Sequence, residues 1–128
     1  MTYYFNKTLD HPFDAAVQRT IAALKEQGFG VLTDIDVRAT LKAKLGVEFR
    51  PYRILGACNP SLAHAALEVE DKIGTMLPCN VVVQELASGR VEIAAIDPVA
   101  SMQAIDNPRL QQTAVSVREK LQQVVAAI

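Results

Sequence analysis

Two apolar segments joined by a tight turn limit the possible folds of this chain more than any other feature. Residues 80–86 and 91–96 are rich in valine and isoleucine, which favour strands. Ser88-Gly89 between them suits a hairpin turn. A further strand is predicted at residues 52–58. Three strands late in the chain favour an antiparallel sheet over a doubly wound parallel one.

The first part of the chain predicts two strands, residues 2–9 and 29–35, around an amphipathic helix. Asp10 or His11 is predicted to cap that helix, and Gly28 to end it. Its apolar residues recur every three or four positions: Phe13, Val17, Ile21 and Leu24. In the strand that follows, alternation predicts that four residues share one face: Phe29, Val31, Thr33 and Ile35.

Three more helices are predicted. Two are short, near residues 37–45 after an N-cap at Asp36 and near residues 61–70, and a long one starts at Asn107. The long helix has a continuous apolar stripe: Leu110, Ala114, Val117, Leu121, Val124 and Ile128. Because the first and last helices each have one apolar face, both can cover one side of the sheet. The prediction is a single α+β domain over residues 1–128, a two-layer sandwich with helices on one face of an antiparallel sheet.

Two central stretches resemble a known family. They are YRILGACNP at residues 52–60 and LPCNVVV at residues 77–83. Both resemble the bacterial and archaeal family catalogued as domain of unknown function 302, and the likeness covers nearly the whole chain. The resemblance implies the fold β-α-β(4)-α, similar to the TATA-binding-protein and helix-grip class. It implies no established activity, cofactor or catalytic residue.

Composition and charge exclude several classes of protein. A net charge of −1 and a pI near 6.1 disfavour binding to a phosphate backbone, so no nucleic-acid partner is predicted. No apolar run approaches the ~20 residues of a membrane helix, and no secretory signal is recognised. Two cysteines are too few for a secreted disulfide scaffold. We therefore predict a cytoplasmic protein without a membrane partner.

The two cysteines form the first candidate site. Cys58 and Cys79 are each followed by asparagine, Asn59 and Asn80, and each is predicted at a strand end. If the two strands are antiparallel neighbours, both thiols lie at the same end of the sheet. A helix starting at Pro60 would present its positive dipole end, which favours a thiolate. Three interpretations stay open: buried core residues, reactive or sulfur-handling thiols, and a metal site.

A metal site would need more ligands than two thiolates, since structural zinc takes four. The chain adds only His11 and His64 as histidine ligands. His64 is predicted on an exposed helix face, where it pairs with Glu68 four residues later. Neither a metal nor a cofactor is predicted.

A basic segment forms the second candidate site. Arg38, Lys42, Arg50 and Arg53 are concentrated between residues 38 and 53, where they could bind a small anionic ligand or an acidic protein surface. The alternative is a solvated face. Lys42 and Lys44 at a helix C-terminus would also complement its dipole.

No complete catalytic set is present, because the phosphate-loop, dinucleotide, zinc-protease and serine-hydrolase motifs are all missing. We therefore predict a non-catalytic module that binds a small ligand or a protein, with a cavity between the sheet and the closing helix. The alternative is a thiol protein that carries sulfur or exchanges electrons through Cys58 and Cys79. An apolar content of 50% in a short chain also predicts a homodimer, with an exposed strand edge as one interface.

Overall fold

Over residues 2–128, the fold consists of one five-stranded antiparallel sheet and five α-helices. The computed structural model describes residues 2–128. Its strands are β1 Tyr4–Leu9, β2 Gly30–Asp36, β3 Tyr52–Cys58, β4 Cys79–Glu85 and β5 Val91–Ile96. Its helices are α1 Phe13–Glu26, α2 Val37–Leu45, α3 Pro60–Val69, α4 Pro98–Ser101 and α5 Pro108–Ala127, and a 3-10 helix spans Asp71–Met76. The strand order is β1-β5-β4-β3-β2 with every pair antiparallel, which confirms the predicted α+β class.

Helices α1 and α5 cover one face of the sheet, here called the inner face. Alternate residues of the three central strands point into this layer and are fully buried: Leu55, Val81, Val83, Ile93 and Ala95. The helices contribute Val17, Leu24, Leu121 and Val124 to the same core cluster. Each of these aliphatic side chains contributes roughly 1.5–3 kcal/mol when fully buried. The predicted stripe of the closing helix is therefore the second layer of the core.

Most predicted helix ends are confirmed. The Asp36 carboxylate accepts a hydrogen bond from the Ala39 N–H at 2.9 Å and caps α2. Asn107 caps α5 by accepting from the Leu110 N–H at 3.3 Å. Gly28 follows α1 with a φ of +84°, in the left-handed region that glycine adopts without strain.

The predicted cap of α1 is wrong. Pro12 occupies the N-cap position and makes no side-chain cap hydrogen bond. The Asp10 carboxylate instead accepts from Arg90 Nε at 2.7 Å, across the end of the β1–β5 pair. Asp10 thus pairs with a charged residue next to the neighbouring strand instead of capping α1. Nothing in the spacing of the sequence indicates Arg90 as its partner.

The predicted common face of β2 is also wrong. A β-bulge interrupts the β2–β3 pair between Val31 and Thr33. Val31 pairs with Ala57, which is buried on the inner face, whereas Thr33 pairs with Gly56. The extra residue, Leu32, reverses the alternation of the strand. Val31 and Thr33 therefore lie on opposite faces.

A second, smaller core lies beside the first and contains elements that the sequence did not reveal. Asp97-Pro98 starts α4 as well as ending β5, because the Asp97 carboxylate accepts from the Val99 N–H at 3.0 Å. Helices α3, α4, α5 and the 3-10 helix bury a common cluster: Ala66, Ile73, Met102, Leu110 and Ala114. This helical cluster faces one end of the sheet, and the gap between them is the site described next.

Candidate functional site

A cavity of about 270 Å³ lies at the end of the sheet where β3 stops and β4 starts. On the sheet side it is lined by Phe29, Leu32, Ala57, Cys58, Asn59, Pro78 and Cys79. On the helix side α3 and α5 supply Leu62, Ala63, Ala66, Leu110, Ala114 and Val117. Almost all of these side chains are apolar. The cavity can hold a small molecule mainly by burying its apolar surface.

Both cysteines line this cavity. Ala57 and Cys79 are partners in the β3–β4 pair, and Cys58 is the next residue along β3. The end of β3 therefore lies beside the start of β4, as the strand order predicted. Both thiols are free; Cys79 is 8% exposed, whereas Cys58 is half-buried.

The two thiols differ in their surroundings. Burial, with a smaller contribution from the nearby Cys58, raises the pKa of Cys79 from 9.0 to about 11. At neutral pH Cys79 is therefore a protonated thiol and a poor nucleophile. Of the two cysteines, Cys58 is the one that a reagent in solution reaches more easily.

The asparagines of the predicted thiol site have separate positions. Asn59 caps α3 by accepting from the Leu62 N–H at 3.3 Å, and its amide donates to the Gln27 carbonyl at 3.4 Å. The Leu62 N–H is thus already engaged and is not a free donor for the Cys58 sulfur. Asn80 is exposed and is not part of the cavity lining. Three of the four predicted residues, Cys58, Asn59 and Cys79, come together.

His64 makes the surface pair that the sequence predicted. Its Nε2 lies 3.0 Å from Glu68 Oε1, and both side chains are exposed. Asp71, near the end of the same segment, pairs with Lys72. Over residues 2–128, no three His, Cys, Asp or Glu side chains form a group that could hold a metal ion.

The basic residues of the predicted anion site have different partners. Lys42 Nζ lies 2.6 Å from Glu48 Oε1, and Arg53 makes a two-bond ion pair with Asp34. The Arg53 guanidinium holds the pKa of the Asp34 carboxyl below its usual value. Arg50 donates to the Gln84 side chain at 2.9 Å and lies over the rings of Phe49 and Tyr52. Arg38 is exposed on α2. An anion site at these residues stays a prediction.

Sequence reasoning missed the part of the lining that α4 and the residue after it supply. Pro98 and Met102 close one side of the cavity. The available signal was the three-residue spacing of Val99, Met102 and Ile105, which all join the smaller core. Asp97-Pro98 is typical of a strand end, and this hides the helical spacing that follows it.

Comparison with known proteins identifies the family. The family model described as domain of unknown function DUF302 matches residues 5–128. The chain belongs to the DUF302 family. A solved DUF302 structure, the crystal structure of an uncharacterized conserved protein from Bacillus stearothermophilus, is 26% identical in sequence. The match covers 99% of this chain and 98% of that one with a TM-score of 0.92, so the two DUF302 proteins share one fold.

Comparison of this DUF302 chain with curated proteins gives no match. Within residues 2–128, none of the helices combines the length and the apolar character needed to cross a bilayer.

Proposed function

We propose that the protein is a non-catalytic module that binds a small, mainly apolar molecule in the cavity between the sheet end and helices α3 and α5. The apolar lining carries this proposal. Ligand sites are typically concave and apolar with a few fixed polar groups, and this cavity fits that description. The cavity also lies between two core clusters, where helices and sheet meet without filling the space.

The volume limits the size of the ligand. An apolar cavity of about 150 Å³ binds benzene. A cavity of about 270 Å³ therefore suits a molecule up to nearly twice that size, such as a fused pair of small rings or a short branched chain.

The polar side chains in the lining are few and do not include the usual groups of general acid–base catalysis. Asn59 uses its side chain in two hydrogen bonds that hold α3 against the end of α1. Thr113 and the two thiols are the other polar groups in the lining. Among residues 2–128, no carboxylate or imidazole lines the cavity, so neither of these groups can serve as a general acid or base there.

Binding of indole, followed by amide NMR spectra of the labelled protein, tests the proposal. The cavity-filling variant Ala63→Leu is compared with Ala65→Leu, because Ala63 lines the cavity while Ala65 is exposed on the same helix. We expect indole to shift the amide signals of α3 and α5 in the native chain and in A65L, and not in A63L. Equal shifts in both variants, or none in the native chain, would contradict the proposed site.

A second candidate function uses the thiols as a sulfur carrier or redox site. The observation in its favour is that both cysteines line the cavity and that Cys58 is half-buried. Because Cys79 is protonated at neutral pH, we assign the reactive role to Cys58. Two unpaired cysteines also suit a cytoplasmic location, which we propose with this function.

Alkylation by iodoacetamide distinguishes the two functions. The sulfur displaces iodide and forms a stable thioether, so the mass of each labelled peptide reports the rate at each cysteine. A working thiol at Cys58 should react as fast as or faster than free cysteine, and indole should slow it. Reaction of Cys58 at a small fraction of that rate would leave ligand binding as the better function.

A further inference from the structure

The face of the sheet opposite α1 and α5, here called the outer face, has an apolar centre. One row of residues crosses four neighbouring strands through paired positions: Ile35, Ile54, Val82 and Ala94. Tyr4 pairs with Ile96 beside this row, and Tyr3 is 62% exposed next to it. Along β4 and β5 these side chains border an open groove on the protein surface. Helices α1 and α5 pack on the inner face, and α2 lies beside Ile35 at the β2 side, so Ile54, Val82 and Ala94 stay only partly buried.

A polar row borders the apolar centre. Gln84 donates to the Glu92 carboxylate at 2.9 Å, and Asn6 donates to its other oxygen at 3.1 Å. Arg50 donates to the Gln84 carbonyl oxygen at 2.9 Å and stacks on Tyr52. The face thus has an apolar centre with aromatic residues and a hydrogen-bonded polar margin, the arrangement found in protein interfaces.

We propose that the outer face binds a second copy of this chain, face to face, with a two-fold axis running along β4. This strand is the middle one of the five, so such an axis places β3 of one copy over β5 of the other. Val82 then meets Val82 of the second copy. The larger Ile54 meets the smaller Ala94, and by symmetry Ala94 meets Ile54.

The same axis pairs opposite charges. Arg50 and Tyr52 lie on the β3 side of the polar row, and Glu92 lies on the β5 side. In the dimer each Arg50 approaches the Glu92 of the other copy, and the two Gln84 side chains meet on the axis. A face that carries one cation and one anion on opposite sides of its middle strand is complementary to itself.

The area is sufficient for a specific dimer. With strands about 4.8 Å apart and about 3.4 Å per residue, five strands of at least six residues present about 490 Å². Two copies bury about twice that flat area, near the roughly 1,000 Å² that a specific interface requires, and side-chain relief adds to it. The dimer forms independently of the cavity, and its interface is a face of the sheet, whereas the sequence predicted an exposed strand edge as one interface.

Light scattering at tens of micromolar protein measures the mass, with Val82→Arg compared against the matched substitution Val115→Arg. Val115 is exposed on α5, away from the sheet. We expect twice the 13.9 kDa of one chain for the native protein and for V115R, and the mass of one chain for V82R. Circular dichroism melting checks that both variants are folded. A monomeric native chain, or a dimer that V82R leaves intact, would overturn the proposal.

A cross-linking variant tests the axis even if V82R folds poorly. In V82C the two new thiols face each other, and diamide oxidises them to a disulfide between chains. We expect a reducible band of two chains for V82C and none for V115C or the native chain, which contains Cys58 and Cys79. Equal cross-linking of V82C and V115C would rule out a two-fold axis at β4.

Discussion

Ala57, and not Cys58, lies directly across the β3–β4 pair from Cys79. Successive side chains of a strand point to opposite faces. Cys79 therefore shares the inner face with its partner Ala57, whereas the side chain of Cys58 starts from the opposite face of β3. The cavity lies beyond the strand ends and is bordered by both residues. The two thiols are therefore close together but are not a matched cross-strand pair.

This register predicts that the folded chain forms no internal disulfide. A disulfide needs Cβ atoms that point toward each other, and alternation directs these two apart. We expect mild oxidation with diamide to leave two free thiols per chain, counted by mass after alkylation. An internal disulfide that forms without any change in the amide NMR spectrum would show that this assignment of faces is wrong.

Stability should fall in alkaline solution because of Cys79. Its folded pKa of about 11 lies above the ordinary value of 9.0, so the buried thiol stays protonated while the unfolded thiol ionises. The contribution is complete below about pH 9 and is lost as the pH rises to about 11, a loss of about 2–3 kcal/mol. Urea unfolding at several pH values should show this fall in the native chain. In Cys79→Ala the fall should be smaller by that amount, and identical profiles would contradict the prediction.

Gly56→Ala should destabilise the sheet. An added Cβ would clash with Thr33 Oγ1 and lie 2.7 Å from Pro78 Cγ, so both side chains would have to shift. We expect a loss of about 1–3 kcal/mol in the free energy of unfolding, the usual cost of overpacking. Gly30→Ala is the control, since no atom lies within 4 Å of its added Cβ. Equal urea midpoints for the two variants would exclude steric conflict as the reason for glycine at position 56.

Leu121→Ala tests the layer that α5 provides. Leu121 is fully buried against the inner face, so removing most of its side chain should cost about 2–5 kcal/mol. Val115→Ala on the same helix is 44% exposed and should change the free energy of unfolding by less than about 0.5 kcal/mol. Urea unfolding measures both, and a cost for L121A as small as that for V115A would contradict the two-layer core.

The sequence by itself determined the order of the five strands and of helices α1, α2, α3 and α5, and with it the class of the fold. Strand-forming residues in 52–58 and 91–96 gave the bounds of β3 and β5, because alternation and turn residues are local properties. The caps at Asp36 and Asn107 were also predictable, since each carboxylate or amide bonds to N–H groups two or three residues away. Cys58 and Cys79 were placed at one end of the sheet because antiparallel neighbours must meet there.

Only the tertiary structure decided what those positions face. The bulge beside Leu32, the bond from Arg90 to Asp10 and the small helix after Pro98 depend on partners that are distant in sequence or on backbone irregularities without a periodic signal. The cavity also depends on tertiary packing. It exists because α3 and α5 form a second cluster beside the sheet end and leave a space between that cluster and the sheet. The sequence specifies which residues are apolar, whereas packing decides which of them line an unfilled cavity.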